Sequence, residues 1–149
     1  MVRSVAWVGL AVALSGCATA SGARASAGVA AELLAADRAF DEETAARGAE
    51  GWMAWFDAGA QAWTKEGLKA AGAVYPGRLG PLFASGKRLR WAPELAGGDG
   101  GHGFTTGRWR LLDGDQVLGT GRYLSVWKRQ AGGGWKVVFD HGDEDAPPR

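Results

Sequence analysis

The sequence predicts an α+β domain in which helices lie across one face of a curved antiparallel sheet. Three observations carry this. Early apolar residues recur at helical spacing, at Val29, Leu33, Ala36 and Phe40. From Lys87 onward the pattern alternates with a period of two and is broken by glycine-rich or Asp-Gly turns. Gly119 and Gly121 fall inside the longest alternating run, where glycine marks a bend. Helices followed by a meander of strands is the order of an α+β domain.

The first helix follows from "VAAELLAADRAFDEETAARG", and Gly48 ends it. A second short helix is predicted in "AEGWMAWFDAG", with Trp52, Trp55 and Phe56 on one face and Gly59 closing it. A short strand is expected around residues 60–64. Leu79, Leu82 and Phe83 suggest a third helix, whose limits stay open because Pro76 and Pro81 suit only a first turn. Four strands follow. "RLRWAPEL" alternates Leu89, Trp91, Pro93 and Leu95 against Arg88, Arg90, Ala92 and Glu94; Pro93 cannot donate to a ladder, so this strand is at an edge or bulged. "FTTGRWRLL", "QVLGTGRYLSVWKRQ" and "WKVVFDHG" are the others, joined by "DGD" and "AGGG" turns.

The chain has 149 residues, which fits one domain, and a formal charge of +1. Without a basic face no nucleic acid is expected as partner. Cys17 is the only cysteine, so no disulfide forms within one copy. It ends a segment of Arg3, the apolar run "VAWVGLAVAL" and small residues, the pattern of a secretory signal. The run is shorter than the ~20 residues of a membrane span. The string Leu14-Ser15-Gly16-Cys17 resembles the lipobox of bacterial lipoproteins. That resemblance implies a signal over residues 1–16, cleavage before Cys17 and acylation of its thiol, each buried methylene of the acyl chains adding about 0.8 kcal/mol to membrane binding. Ala18, rather than aspartate, follows the cysteine, which by analogy with lipoprotein sorting implies the outer membrane, facing the periplasm. Residues 17–28 are expected to be the lipidated cysteine and a flexible tether, 29–143 the domain, and 144–149 a frayed tail.

The strings "AADRAFDEETAARGAEGW", "LRWAPELAGGDGGHGFTTGRW" and "GRYLSVWKRQAGGGWKVVFDHGD" resemble the SnoaL-like, domain-of-unknown-function branch of the nuclear transport factor 2-like superfamily. The resemblance covers about residues 30–143. It implies a cystatin-like cone, often forming a homodimer. The superfamily includes ketosteroid isomerases, polyketide cyclases, dehydratases and members with no known catalysis, so the fold alone does not choose a function.

Candidate chemistry rests on few residues. Asp37 sits on or beside the apolar stripe of the first helix, where desolvation would raise its pKa and suit it to acid–base work, unless it simply pairs with an arginine or a loop backbone. On the last strand, Trp135, Val137, Phe139 and His141 share one face, and Lys136, Val138 and Asp140 the other. If the aromatic face lines the cone, His141 is at the mouth and Asp140 points away; a bulge would swap them. Asp37, Asp140 and His141 are therefore the catalytic candidates, against a surface charge pair for the last two. His102, in a glycine-rich turn, is expected to be exposed. No metal-ligand spacing and no phosphate loop is present, so neither a metal nor a cofactor is expected.

Trp52, Trp55, Tyr75, Trp91, Trp109, Tyr123, Trp127 and Trp135, together with Trp63, recur in every element. Most must pack the core, yet so many rigid rings could wall a pocket for a flat or apolar molecule. Arg90, Arg108, Arg110 and Arg122 alternate out of the strands, towards solvent or a dimer interface. Three functions stay open. The first is a lipid-anchored protein binding a small apolar molecule. The second is an acid–base enzyme, and the third an interaction module without a working pocket.

Overall fold

The computed structural model describes residues 17–146; the predicted signal, residues 1–16, and the last three residues of the predicted tail lie outside them. Helix α1 (Cys17–Arg47) is followed by α2 (Ala49–Ala54), β1 (Phe56–Thr64), β2 (Gly67–Ala70), α3 (Ala71–Ala84), β3 (Arg88–Gly98), β4 (His102–Asp113), β5 (Gln116–Arg129) and β6 (Trp135–Glu144). The six strands form one curved, unclosed sheet in the order β2-β1-β6-β5-β4-β3. The four predicted strands form the antiparallel meander, and β1 joins it in parallel along β6.

α1 begins well before Val29 and takes in residues 17–28, expected as a tether. Alanine, the best helix former, occurs five times there, at residues 18, 20, 23, 25 and 27, and extends the helix that Val29 and Leu33 anchor. Leu33, Asp37, Phe40, Asp41 and Thr44 are its buried stripe. Gly48 ends it at φ 59°, a left-handed conformation that glycine adopts without a steric penalty.

Other elements differ from expectation as well. The second helix stops at Ala54, and Phe56 instead starts β1, in which Gly59 is an interior strand residue. The hairpin partner β2 was not foreseen, because Gly67–Ala70 is only four residues long and mostly exposed. α3 contains both prolines, Pro76 and Pro81. The carbonyls that lose their i+4 donors belong to Gly72 and Gly77, both exposed, where water can replace the lost bond. β6 extends to Glu144, one residue past the expected end of the domain.

Pro93 behaves as its chemistry requires. β3 is the edge strand, and its pairing with β4 slips between Pro93 and Leu95. α1 docks on this strand through Asp41, which accepts from the Arg90 guanidinium at 2.6 Å and from the Trp91 backbone N–H at 2.9 Å. Arg90 is thus tied to α1 rather than released to solvent. Arg108 and Arg122 do reach the outer face, where each pairs with Glu94. That face also exposes Leu95, Phe104 and Leu124.

Between helices and sheet the core is aromatic. Phe40 lies 4.7 Å from Trp91 and 4.8 Å from Trp52, and Tyr75 lies 5.1 Å from Phe56, between ring centroids. Such pairs each add about 0.5–1.5 kcal/mol beyond area burial. Among the described residues no helix is long and apolar enough to cross a membrane.

Candidate functional site

Alternation along β5 puts Tyr123, Ser125 and Trp127 on the buried face. On β6 the same face holds Trp135 and Val137, and then the phase changes. Val126 pairs with Phe139 but Trp127 pairs with Val137, so Val138 is an extra residue. The bulge turns Asp140 inward, opposite Ser125, and sends His141 to the side of exposed Leu124. Of the two arrangements the sequence left open for this strand, the swapped one is found for Asp140, while His141 still borders the cavity. The His141 Nε2 pairs with Asp143 at 3.2 Å.

A cavity of about 270 Å³ opens between α3 and this face. Its apolar wall includes Trp52, Trp91, Trp109, Leu79 and Leu111, with the more exposed Trp63 also on its lining. Its polar lining is Tyr75, Tyr123, Ser125, Asp140, Arg78 and His141. Trp109 is fitted by glycine. Its indole lies over Gly121, where a Cβ would come within 2.5 Å of the ring and 2.0 Å of the Asp143 carbonyl. The indole N–H donates to the Arg122 carbonyl at 3.1 Å.

Asp140 is the acidic group on the cavity lining. The Ser125 hydroxyl donates to its Oδ1 at 2.6 Å, and the Tyr75 hydroxyl donates to its backbone carbonyl at 3.0 Å. Burial pushes its carboxyl up to about 6; the Ser125 bond works against that rise, and the charge of Asp37 adds to it. A carboxyl at that level can hold or release a proton near neutral pH.

Asp37 is completely buried but does not line the cavity; it stands behind it. Its Oδ1 accepts from the Trp91 indole at 2.7 Å and its Oδ2 from the Tyr123 hydroxyl at 2.7 Å. Both oxygens are therefore engaged in holding two cavity-wall side chains. Burial raises the Asp37 carboxyl above the usual range, and these bonds oppose the rise. Burial also raises both Tyr75 and Tyr123, so their hydroxyls stay protonated as donors.

Of the eight predicted pocket aromatics, Trp52, Tyr75, Trp91, Trp109 and Tyr123 meet at the cavity. The other three do not. Trp55 donates to Glu43 at 2.9 Å, and Trp127 donates to Thr105 at 2.8 Å deep in the core. Trp135 lies under the Arg129 guanidinium, 4.3 Å from its centroid. His102 is exposed at the start of β4. Ser125 and Arg78 were missed. Alternation from Tyr123 could have found Ser125, and the helical step from Tyr75 could have found Arg78.

Comparison with protein-family models and with curated proteins gives no match. Solved structures do match. A protein of unknown function with a cystatin-like fold from Nostoc punctiforme is 12% identical, covering 77% of this chain and 90% of that one, with a TM-score of 0.62. An NTF2-like protein of unknown function from Pseudomonas putida is 16% identical, covering 85% and 88%, with a TM-score of 0.58. A candidate ketosteroid isomerase from Shewanella frigidimarina is 14% identical, covering 73% and 92%, with a TM-score of 0.57. At such identities the likeness is one of fold: helices packed on a curved sheet, as the sequence predicted. The chain has the cystatin-like fold of NTF2-like proteins.

Proposed function

We propose that this chain is an envelope lipoprotein, acylated at Cys17, that holds a small and largely apolar molecule in the cavity beneath α3. One observation carries the binding reading: a cavity of about 270 Å³ walled by indole rings yet furnished with hydroxyls and a single carboxyl. Few, fixed polar groups on an apolar wall are what orient a small ligand. Asp37 serves this reading as a positioning residue, through Trp91 and Tyr123. Calorimetric titration of the full-length protein in detergent with 2-naphthol tests it. Saturable binding that disappears when Leu111→Trp fills the cavity is expected; heat unaffected by that substitution would refute it. For the anchor, growth with labelled palmitate should label the wild type and leave Cys17→Ser unlabelled.

Asp140 supports a second reading, that of an acid–base enzyme. A carboxyl pushed up to about 6, held by Ser125 at Oδ1, can take a proton from carbon next to a carbonyl and return it. The fold neighbour described as a candidate ketosteroid isomerase raises the same chemistry. Deuterium exchange into 2-tetralone tests it. Exchange that falls by about a hundredfold or more in Asp140→Asn supports catalysis, and exchange no faster than in buffer dismisses it.

A further inference from the structure

The floor of the cavity carries a charge that nothing inside it balances. Asp140 lines the cavity and keeps 8% of its surface exposed, whereas Asp37 behind it keeps none. Neither carboxyl forms an ion pair with any described residue. Buried carboxylates are normally paired, because their charge is costly away from water. Around Asp140 stand only neutral donors and a second acid. Ser125 on β5 donates to Oδ1 at 2.6 Å. Tyr75 on α3 gives its shorter bond to the Asp140 backbone carbonyl, at 3.0 Å, and reaches Oδ2 only at 3.4 Å. Tyr123 on β5 donates to Asp37 on α1, and the Asp37 charge repels that of Asp140. Oδ2 is therefore an acceptor with capacity to spare.

The two basic side chains on the lining are turned to water. Arg78 is exposed, and its charge acts on the Tyr75 hydroxyl. His141 is half-buried and its Nε2 is held by Asp143 at 3.2 Å. Water screens charges in such positions. The wall itself is aromatic, with the Trp52 ring 5.4 Å from Trp91 and 5.5 Å from Tyr75 between centroids. Indole and phenol rings attract cations, and more strongly where water is excluded.

We propose that the occupant is an arylalkylamine, a flat apolar ring carrying a protonated amine, with the ammonium on Asp140 Oδ2 and the ring among the indoles. This rests on the binding reading above and specifies its ligand class. A primary ammonium brings the counter-charge that Asp140 lacks, and its bond to a carboxylate is about twice as strong as a neutral one. A hydroxyl in the same place would supply the hydrogen bond without the charge.

Two probes that share a skeleton and differ in charge separate these cases: 2-naphthylmethylamine and 2-naphthalenemethanol. Each is titrated calorimetrically at pH 7.5 into the full-length protein in non-ionic detergent. At that pH the amine is protonated and Asp140, pushed up to about 6, is ionised. The amine should bind about tenfold or more tightly than the alcohol. Asp140→Asn should erase the preference by weakening the amine and sparing the alcohol, with circular dichroism as the check on folding. Equal binding of amine and alcohol by the wild type, or a preference that survives Asp140→Asn, overturns the inference and leaves the binding reading standing. Failure of both probes while 2-naphthol binds also overturns the inference alone; failure of 2-naphthol as well overturns both.

Discussion

Replacing Asp140 by asparagine should make the protein more stable at neutral pH, and the gain should itself depend on pH. In the folded chain the Asp140 carboxyl is pushed from an ordinary 3.8 to about 6, chiefly by burial. The folded state therefore holds this proton more tightly than the unfolded chain does. The stability that goes with it is fully present below about pH 4 and is lost as the pH rises through about 6. A shift of roughly two units corresponds to about 3 kcal/mol, all of it missing from the wild type at pH 7.5. Asparagine cannot ionise, and its Oδ1 still accepts from Ser125. Asp57 and Asp99, held low by hydrogen bonds far from this site, are common to both proteins and cancel in the difference, whereas Asp37, whose charge adds to the rise at Asp140, is relieved by the same substitution and changes the pH profile in the same direction. Urea unfolding at pH 4.5 and 7.5 measures the effect. The advantage of Asp140→Asn should widen by about 2 kcal/mol between these two values. Parallel pH profiles, or a variant less stable than wild type at pH 7.5, would show that the charged form of Asp140 is not penalised by its surroundings and refute the reasoning.

Asp37→Ala should lower stability by about 2–4 kcal/mol, since it strands the Trp91 indole and the Tyr123 hydroxyl together; a thermal melt measures it. The same variant should weaken 2-naphthol binding, because those two side chains then lose their fixed positions on the wall. Gly121→Ala should destabilise by several kcal/mol, as its Cβ would meet the Asp143 carbonyl at 2.0 Å, whereas Gly132→Ala, with nothing within 4 Å, should be close to neutral in the same melt. Leu33→Ala, at a fully buried position, should cost about 2–5 kcal/mol in urea unfolding.

Much of the fold was legible because its signals are local. The meander announced itself through alternation and its turns, Pro93 marked an edge, and Gly48 marked a helix end. What was not legible depends on partners distant in the chain. β2 exists because Trp63 and Leu68 face each other across a hairpin, not because four residues from Gly67 to Ala70 look like a strand. The inward turn of Asp140 hangs on one extra residue, Val138, and alternation alone cannot say whether a bulge is present. Asp37 was recognisable as a carboxylate on an apolar stripe. Its engagement was not, because Trp91 and Tyr123 lie 54 and 86 residues away in the sequence. The pocket aromatics divided on the same ground: Trp127 and Trp52 look equivalent as letters, and only the packing of helices on the sheet decides which ring borders the cavity.

The place of β6 in the sheet has a consequence for biogenesis. It lies between β1 and β5 and is the last strand among the described residues. While a ribosome is still making it, the β1–β2 hairpin has no further strand to pair with, and the floor carrying Asp140 does not exist. A stop codon ahead of Trp135 would therefore leave the sheet cut into β2-β1 and β5-β4-β3, joined only through the helices and lacking the strand that carries Asp140.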